Sequence, residues 1–71
     1  MTTTSVYELP QTDALAGVEI RTKRELAKVS LRQLAKRLAV SAPYLCDLEK
    51  GRRKWSNDRF NAAHAILDAQ P

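Results

Sequence analysis

The side chains of this chain that can do chemistry are chiefly its bases, and they are concentrated in one stretch. Of twelve Lys and Arg in 71 residues, eleven fall between residues 20 and 54, against three acids there, Glu25, Asp47 and Glu49. The local balance is +8 inside a whole-chain charge of +4. A segment that cationic is suited to a polyanion, and its chemistry is the neutralisation of phosphate by ammonium and guanidinium groups. Catalytic chemistry has no comparable signal. There is no paired-carboxylate constellation, no Gly-rich phosphate loop and no Ser/His/Asp arrangement, so no enzyme activity, cofactor or small-molecule ligand is expected. His64 has no second ligand or nucleophile at useful spacing and reads as a partly exposed helix residue. A single Cys46 excludes an internal disulfide, no Cys/His set has zinc spacing, and no stretch reads as a secretory signal or membrane span, which makes the cytoplasm the expected compartment.

Positioning these bases requires short helices. Seventy-one residues make room for one domain with one small core, near the lower end of what folds without disulfides, metal or a partner subunit. The Thr-rich residues 1–16 carry no sustained period and read as a flexible arm, with residues 17–71 as the folded domain. Within the arm Val6, Tyr7 and Leu9 could dock on the domain or pair with a second chain; a frayed terminus is the plainer reading. Gly17 is a candidate N-cap for a first helix over residues 18–27, with Ile20, Arg24 and Ala27 on one face and Lys23 and Leu26 beside it. Ser30 caps a second helix over residues 31–38, whose Leu31, Leu34, Ala35 and Leu38 point inward. That helix must stop near Ala39, because Ser41 is a strong N-cap with Pro43 in the next first turn. The third helix spans residues 42–50, with Leu45, Leu48 and part of Tyr44 inward and Gly51 as a left-handed C-cap. Ser56 caps a fourth helix with Phe60, Ala63, Ile66 and Leu67 on its buried stripe, and Trp55 is assigned to the core beneath it. Helices two and three, joined by three residues, have the layout of a helix-turn-helix.

The run SLRQLAKRLAVS, followed by YLCDLEKGRR and a closing amphipathic helix, resembles the Cro and phage-repressor (Xre-like) helix-turn-helix domains. The resemblance covers residues 17–67 and rests on Ala35, Val40, Ser41, Leu45, Leu48, Glu49 and Gly51 at the family's offsets. It implies an all-α, lambda-repressor-like bundle of four helices, or five, and a bidentate pair between Arg24 and Glu49 that ties helix one to helix three. One position departs from the pattern. Ala39 stands where the family usually has Gly and the backbone tends toward positive φ, at a cost of about 1 kcal/mol.

The function this implies is sequence-specific DNA binding by a phage or bacterial transcriptional regulator, with helix 42–50 in the major groove. Ser41, Ala42, Pro43, Cys46 and Asp47 would face the groove, with Tyr44 and Lys50 beside them. That set holds no Arg, Asn or Gln, so base reading falls to Asp47 accepting from a cytosine amino group and to Ala42 and Pro43 against thymine methyls. Arg32, Gln33 and Lys36 on helix two, and Arg52, Arg53 and Lys54 after helix three, would hold phosphates, as would the amides at helix N-termini. The weak base-reading face leaves an alternative open: a protein-interaction module on the same fold, such as an antitoxin or accessory subunit. A weak homodimer is expected, because one recognition helix reads too few base pairs. Ala65, Ile66 and Ala69, or the arm, could supply its interface.

Overall fold

A hydroxyl side chain starts every helix. In the computed structural model, which describes residues 7–69, Thr12, Ser30, Ser41 and Ser56 each accept a hydrogen bond from the backbone N–H three residues on. They open α1 (Asp13–Leu26), α2 (Leu31–Leu38), α3 (Ala42–Glu49) and α4 (Asn57–Asp68). Each such cap contributes about 1 kcal/mol. At α2 the cap is reciprocal, since Gln33 N–H donates to Ser30 Oγ while Gln33 Oε1 accepts from Ser30 N. The described residues thus form an all-α, four-helix fold without strands, as the sequence predicts.

Helix α1 departs from its expected bounds. It begins at Asp13, not Val18, so residues 13–16, given to the arm on composition, are its first turn. The physical cause is the Thr12-Asp13 pair. Thr12 Oγ1 accepts from Leu15 N at 3.1 Å, and the Asp13 carboxylate accepts from Trp55 N at 2.9 Å, which fastens the loop before α4 to the start of α1. Gly17 is therefore a buried position in the helix interior and caps nothing. A Cβ there would lie 2.3 Å from the Glu49 carbonyl oxygen and 2.6 Å from that of Leu48. Gly51, at φ 78°, makes the matching approach, for its Cβ would fall 2.8 Å from Ala14 Cα. The C-terminal end of α3 and the N-terminal half of α1 meet backbone to backbone.

Trp55, Phe60, Ile20, Leu34, Leu45 and Leu48 fill the space between the helices and are fully buried. Trp55 lies in the core as expected, its indole N–H donating to the Leu48 carbonyl at 2.9 Å and its ring set edge-on to Phe60. Leu26, expected beside the buried face, is instead 78% exposed; Leu15 and Val18 are also exposed on α1. Between α2 and α3 the chain turns through Ala39 at φ 60°, ψ 40°, and the Val40 amide bonds back to the Ala35 carbonyl. Lys28 adopts the same φ after α1.

The start of the described chain is docked. Asn61 receives the Tyr7 N–H on Oδ1 at 2.6 Å and gives Nδ2–H to the Tyr7 carbonyl at 3.0 Å. The Tyr7 ring stacks on His64 with centroids 3.8 Å apart, its hydroxyl donates to Asp68, and Leu9 packs on the core. Val6 lies outside the described residues. His64 is consequently buried, 3% exposed, contrary to the partly exposed residue expected, because α1 and the arm close over it. Lys23 Nζ lies 3.0 Å from His64 Nδ1, and an ammonium has donors only, so Nδ1 must accept. The imidazole proton then sits on Nε2 and donates to Glu19 at 2.7 Å. Burial pushes the His64 pKa down, with the Glu19 hydrogen bond opposing. Asp68 is held below the usual carboxylate range by the hydrogen bonds from Lys23 and Tyr7. Burial works against the charge of Lys23, but its bonds to Asp68 and Tyr7 outweigh that and raise its pKa.

Two outcomes follow from this packing. Gly17→Ala lowers stability in urea by about 1–3 kcal/mol, whereas Thr22→Ala on the exposed side of α1 changes it by less than about 0.5 kcal/mol. A depressed folded-state pKa at His64 means the unfolded chain binds more protons, so stability is full above about pH 6.5 and falls as pH drops below it. Urea titrations at pH 7.5 and 5.5 read this loss, and His64→Leu flattens it in that window.

Candidate nucleic-acid interface

Helix α3 is aimed by one buried ion pair. Leu45 and Leu48 seat it on the core, and off that line of contact Arg24 of α1 grips Glu49, with Nε to Oε2 at 2.7 Å and Nη2 to Oε1 at 3.2 Å. The remaining Arg24 nitrogen, Nη1, donates to the Val29 carbonyl at 3.0 Å. With side chains only 13% and 6% exposed, this is the bidentate pair that the family resemblance implies.

Held in this way, α3 carries Pro43 exposed and Cys46 and Asp47 half-buried, with Ser41 exposed at its N-cap and Lys50 exposed at its C-cap. Of the expected groove-facing residues Ala42 is partly turned inward, half-buried and packed on the core, and Tyr44 beside them is half-buried on the core as its expected part-inward position requires. Arg32, Gln33 and Lys36 are exposed on α2, and Arg52, Arg53 and Lys54 are exposed after Gly51. The Gln33 carbonyl oxygen is engaged in the α2 cap, which leaves its amino group for an outside acceptor. Asp47 is not a free acceptor. Its carboxylate faces Arg52 Nη1 at 3.7 Å and Arg53 Nε at 3.8 Å, so the loop bases fold back over α3. Exposed pairs at such distances contribute less than about 1 kcal/mol and can be exchanged for a stronger anion.

Sequence reasoning left Arg59 out. It sits in the first turn of α4, its Nη1 donates to Tyr44 Oη at 3.4 Å, and its Cζ lies 5.5 Å from the Tyr44 ring centroid. Arg53 Cζ lies at the same 5.5 Å from that ring. The sequence shows only an aromatic on α3 followed by bases 9 and 15 residues later, and the fold alone brings them together.

The described residues present no group of three His, Cys, Asp or Glu side chains placed to hold a metal ion, and no helix long and apolar enough to cross a membrane. A concavity lies between the arm and α4, lined by Tyr7, Leu9, Asn61 and Ala65 among others, and none of the residues that line it belongs to the basic surface.

Two short helices joined by a tight turn, the second anchored on the core with bases around its outer face, define a helix-turn-helix domain. The chain belongs to that family, whose helix-turn-helix domain matches residues 15–71. It is 57% identical over 42 residues to an uncharacterised HTH-type transcriptional regulator found in two strains of Mycobacterium tuberculosis. That match covers 59% of this chain, and the chain spans only 30% of the relative's length. Two crystal structures of the clp gene regulator ClgR from Corynebacterium glutamicum are similar in fold. They superpose with TM-scores of 0.78 and 0.77 at 33% and 32% identity, covering 86% and 89% of this chain and 65% and 81% of theirs.

Glu49→Ala, which leaves Arg24 buried without its partner, costs about 3–5 kcal/mol in urea unfolding. The double variant Arg24→Met, Glu49→Leu recovers much of that loss, since no buried charge is then left alone.

Proposed function

We propose that this chain is the DNA-binding part of a bacterial transcription regulator of the Cro and phage-repressor (Xre-like) type, acting in the cytoplasm. One observation carries the reading: an α3 fixed in orientation by a buried ion pair, its outer face accompanied by six exposed or loosely paired side chains of α2 and the following loop that suit phosphate. The N-terminal end of α3 enters the major groove. Ser41, Pro43, Cys46 and Lys50 are presented to bases and backbone, and Ala42 and Tyr44 contribute their outer edges. Arg52 and Arg53 leave Asp47 for phosphates, and Asp47 then becomes free to accept from a cytosine amino group. Base reading by this helix is sparse, so affinity rests on Arg32, Gln33, Lys36, Arg52, Arg53 and Lys54. The names of the similar proteins, an HTH-type transcriptional regulator and a clp gene regulator, support the same reading. The protein works as a weak homodimer on paired half-sites.

Titration of labelled duplex DNA with the full chain across a salt series tests the proposal. About five phosphates neutralised per protomer give a log-log slope of roughly −4 to −5 for a monomer and about twice that for a dimer. No salt-dependent binding at low ionic strength would overturn it in favour of a protein-interaction module. Selection from a random duplex library returns two half-sites in symmetric arrangement if the dimer is right, and a single unpaired site if it is not.

A further inference from the structure

The geometry points to a phosphodiester-binding cradle formed by Tyr44, Arg53 and Arg59, which brings α4 into the DNA interface. The inference rests on the DNA-binding reading above and adds to it a contact outside the helix-turn-helix.

Tyr44 of α3 is half-buried on the core, so its ring is a fixed platform. Two guanidinium groups lie against that ring, Arg53 from the loop and Arg59 from α4, each with Cζ 5.5 Å from the centroid. Packing on a phenol ring orients a guanidinium without neutralising it. Arg53 also has Asp47, at 3.8 Å. Arg59 has no carboxylate partner among the described residues; its contacts are the Tyr44 ring and hydroxyl, plus its own backbone N–H to the Ser56 cap. Its charge is uncompensated while its position is set.

Donors remain on Arg59 for a ligand. A guanidinium carries five N–H donors, and Arg59 spends one on Tyr44 Oη. Because that oxygen accepts from Arg59, the phenolic proton is left to donate outward. The cradle therefore offers the free edge of one guanidinium, a second guanidinium held only by an exposed ion pair, and one hydroxyl. The free edge of the Arg59 guanidinium matches the two non-bridging oxygens of a phosphodiester, which guanidinium groups bind bidentately, and Arg53 and the hydroxyl stand beside it. Tyr44 is a positioning residue here as well as a donor. Arg53 and the α3 face already belong to the proposed DNA surface, so the phosphodiester is one of the duplex backbone.

The test is the salt dependence of binding by the full chain to two labelled duplexes, one carrying a selected site and one of random sequence. Arg59→Gln lowers the magnitude of the log-log slope by about 0.9 per protomer and weakens binding equally on both duplexes. Arg59→Lys restores the slope but not the full affinity. Tyr44→Leu, which releases both guanidiniums without removing charge, weakens binding while the slope stays near that of the wild type. Thermal melts of each variant check the fold, and Tyr44→Phe, which keeps the ring, serves if Tyr44→Leu does not fold. An unchanged slope in Arg59→Gln, with wild-type binding intact, overturns the cradle alone. Absence of DNA binding by the wild type overturns both the cradle and the function it rests on. Inorganic phosphate that, at matched ionic strength, displaces duplex from the wild type but not from Arg59→Gln would reassign the cradle to free phosphate and overturn the duplex assignment.

Discussion

The orientation of α3 depends on the guanidinium of Arg24. Apolar packing has no direction, and Leu45 and Leu48 give an eight-residue helix a single line of contact about which it could roll. The two bonds from Arg24 to Glu49 lie off that line and remove the freedom. The third bond, to the Val29 carbonyl, extends the constraint into the connection that feeds α2. One side chain of α1 thereby relates both helices of the motif to each other. The close backbone approach at Gly17 and Gly51 works with it, since a bulkier residue at either would push α3 away from the reach of Arg24.

Rigid and adaptable parts are divided along the same boundary. Everything that fixes α3 is buried and directional: the ion pair, the Trp55 bond to Leu48 and the glycine contacts. What surrounds its outer face is held by exposed pairs worth less than about 1 kcal/mol each. Asp47 keeps Arg52 and Arg53 near the surface without committing them. A site of this kind tolerates varied backbone geometry at its edge while presenting a constant helix at its centre.

The sequence disclosed those features whose causes are local. Ser30, Ser41 and Ser56 stand immediately before apolar-periodic runs, and α2, α3 and the start of α4 fall where those hydroxyls place them. Ala39 and Gly51 are left-handed where the turn and the C-cap require it. Where the cause is distant, the sequence is silent or misleading. Thr12 and Asp13 looked like more of a Thr-rich tail, because the partner that makes Asp13 structural, the Trp55 amide, is 42 residues away. His64 looked unaccompanied because Lys23 and Glu19 are 41 and 45 residues distant, and Tyr7 arrives from the other end of the chain. The pairing of Arg24 with Glu49 came from resemblance, not from spacing. Nothing in the sequence marks Arg59, because its position is set by Tyr44, on a different helix.

Trp55 gives the molecule a reporter of its own. It is the single tryptophan of the chain, its ring is sealed in the core, and it directly follows Arg52, Arg53 and Lys54. Indole emission shifts to longer wavelength when water reaches the ring. The colour of this one fluorophore therefore follows the anchorage of the basic loop: so long as Leu48 and Asp13 hold Trp55, the loop is tethered at its far end, and any event that loosens that tether changes the light the protein emits.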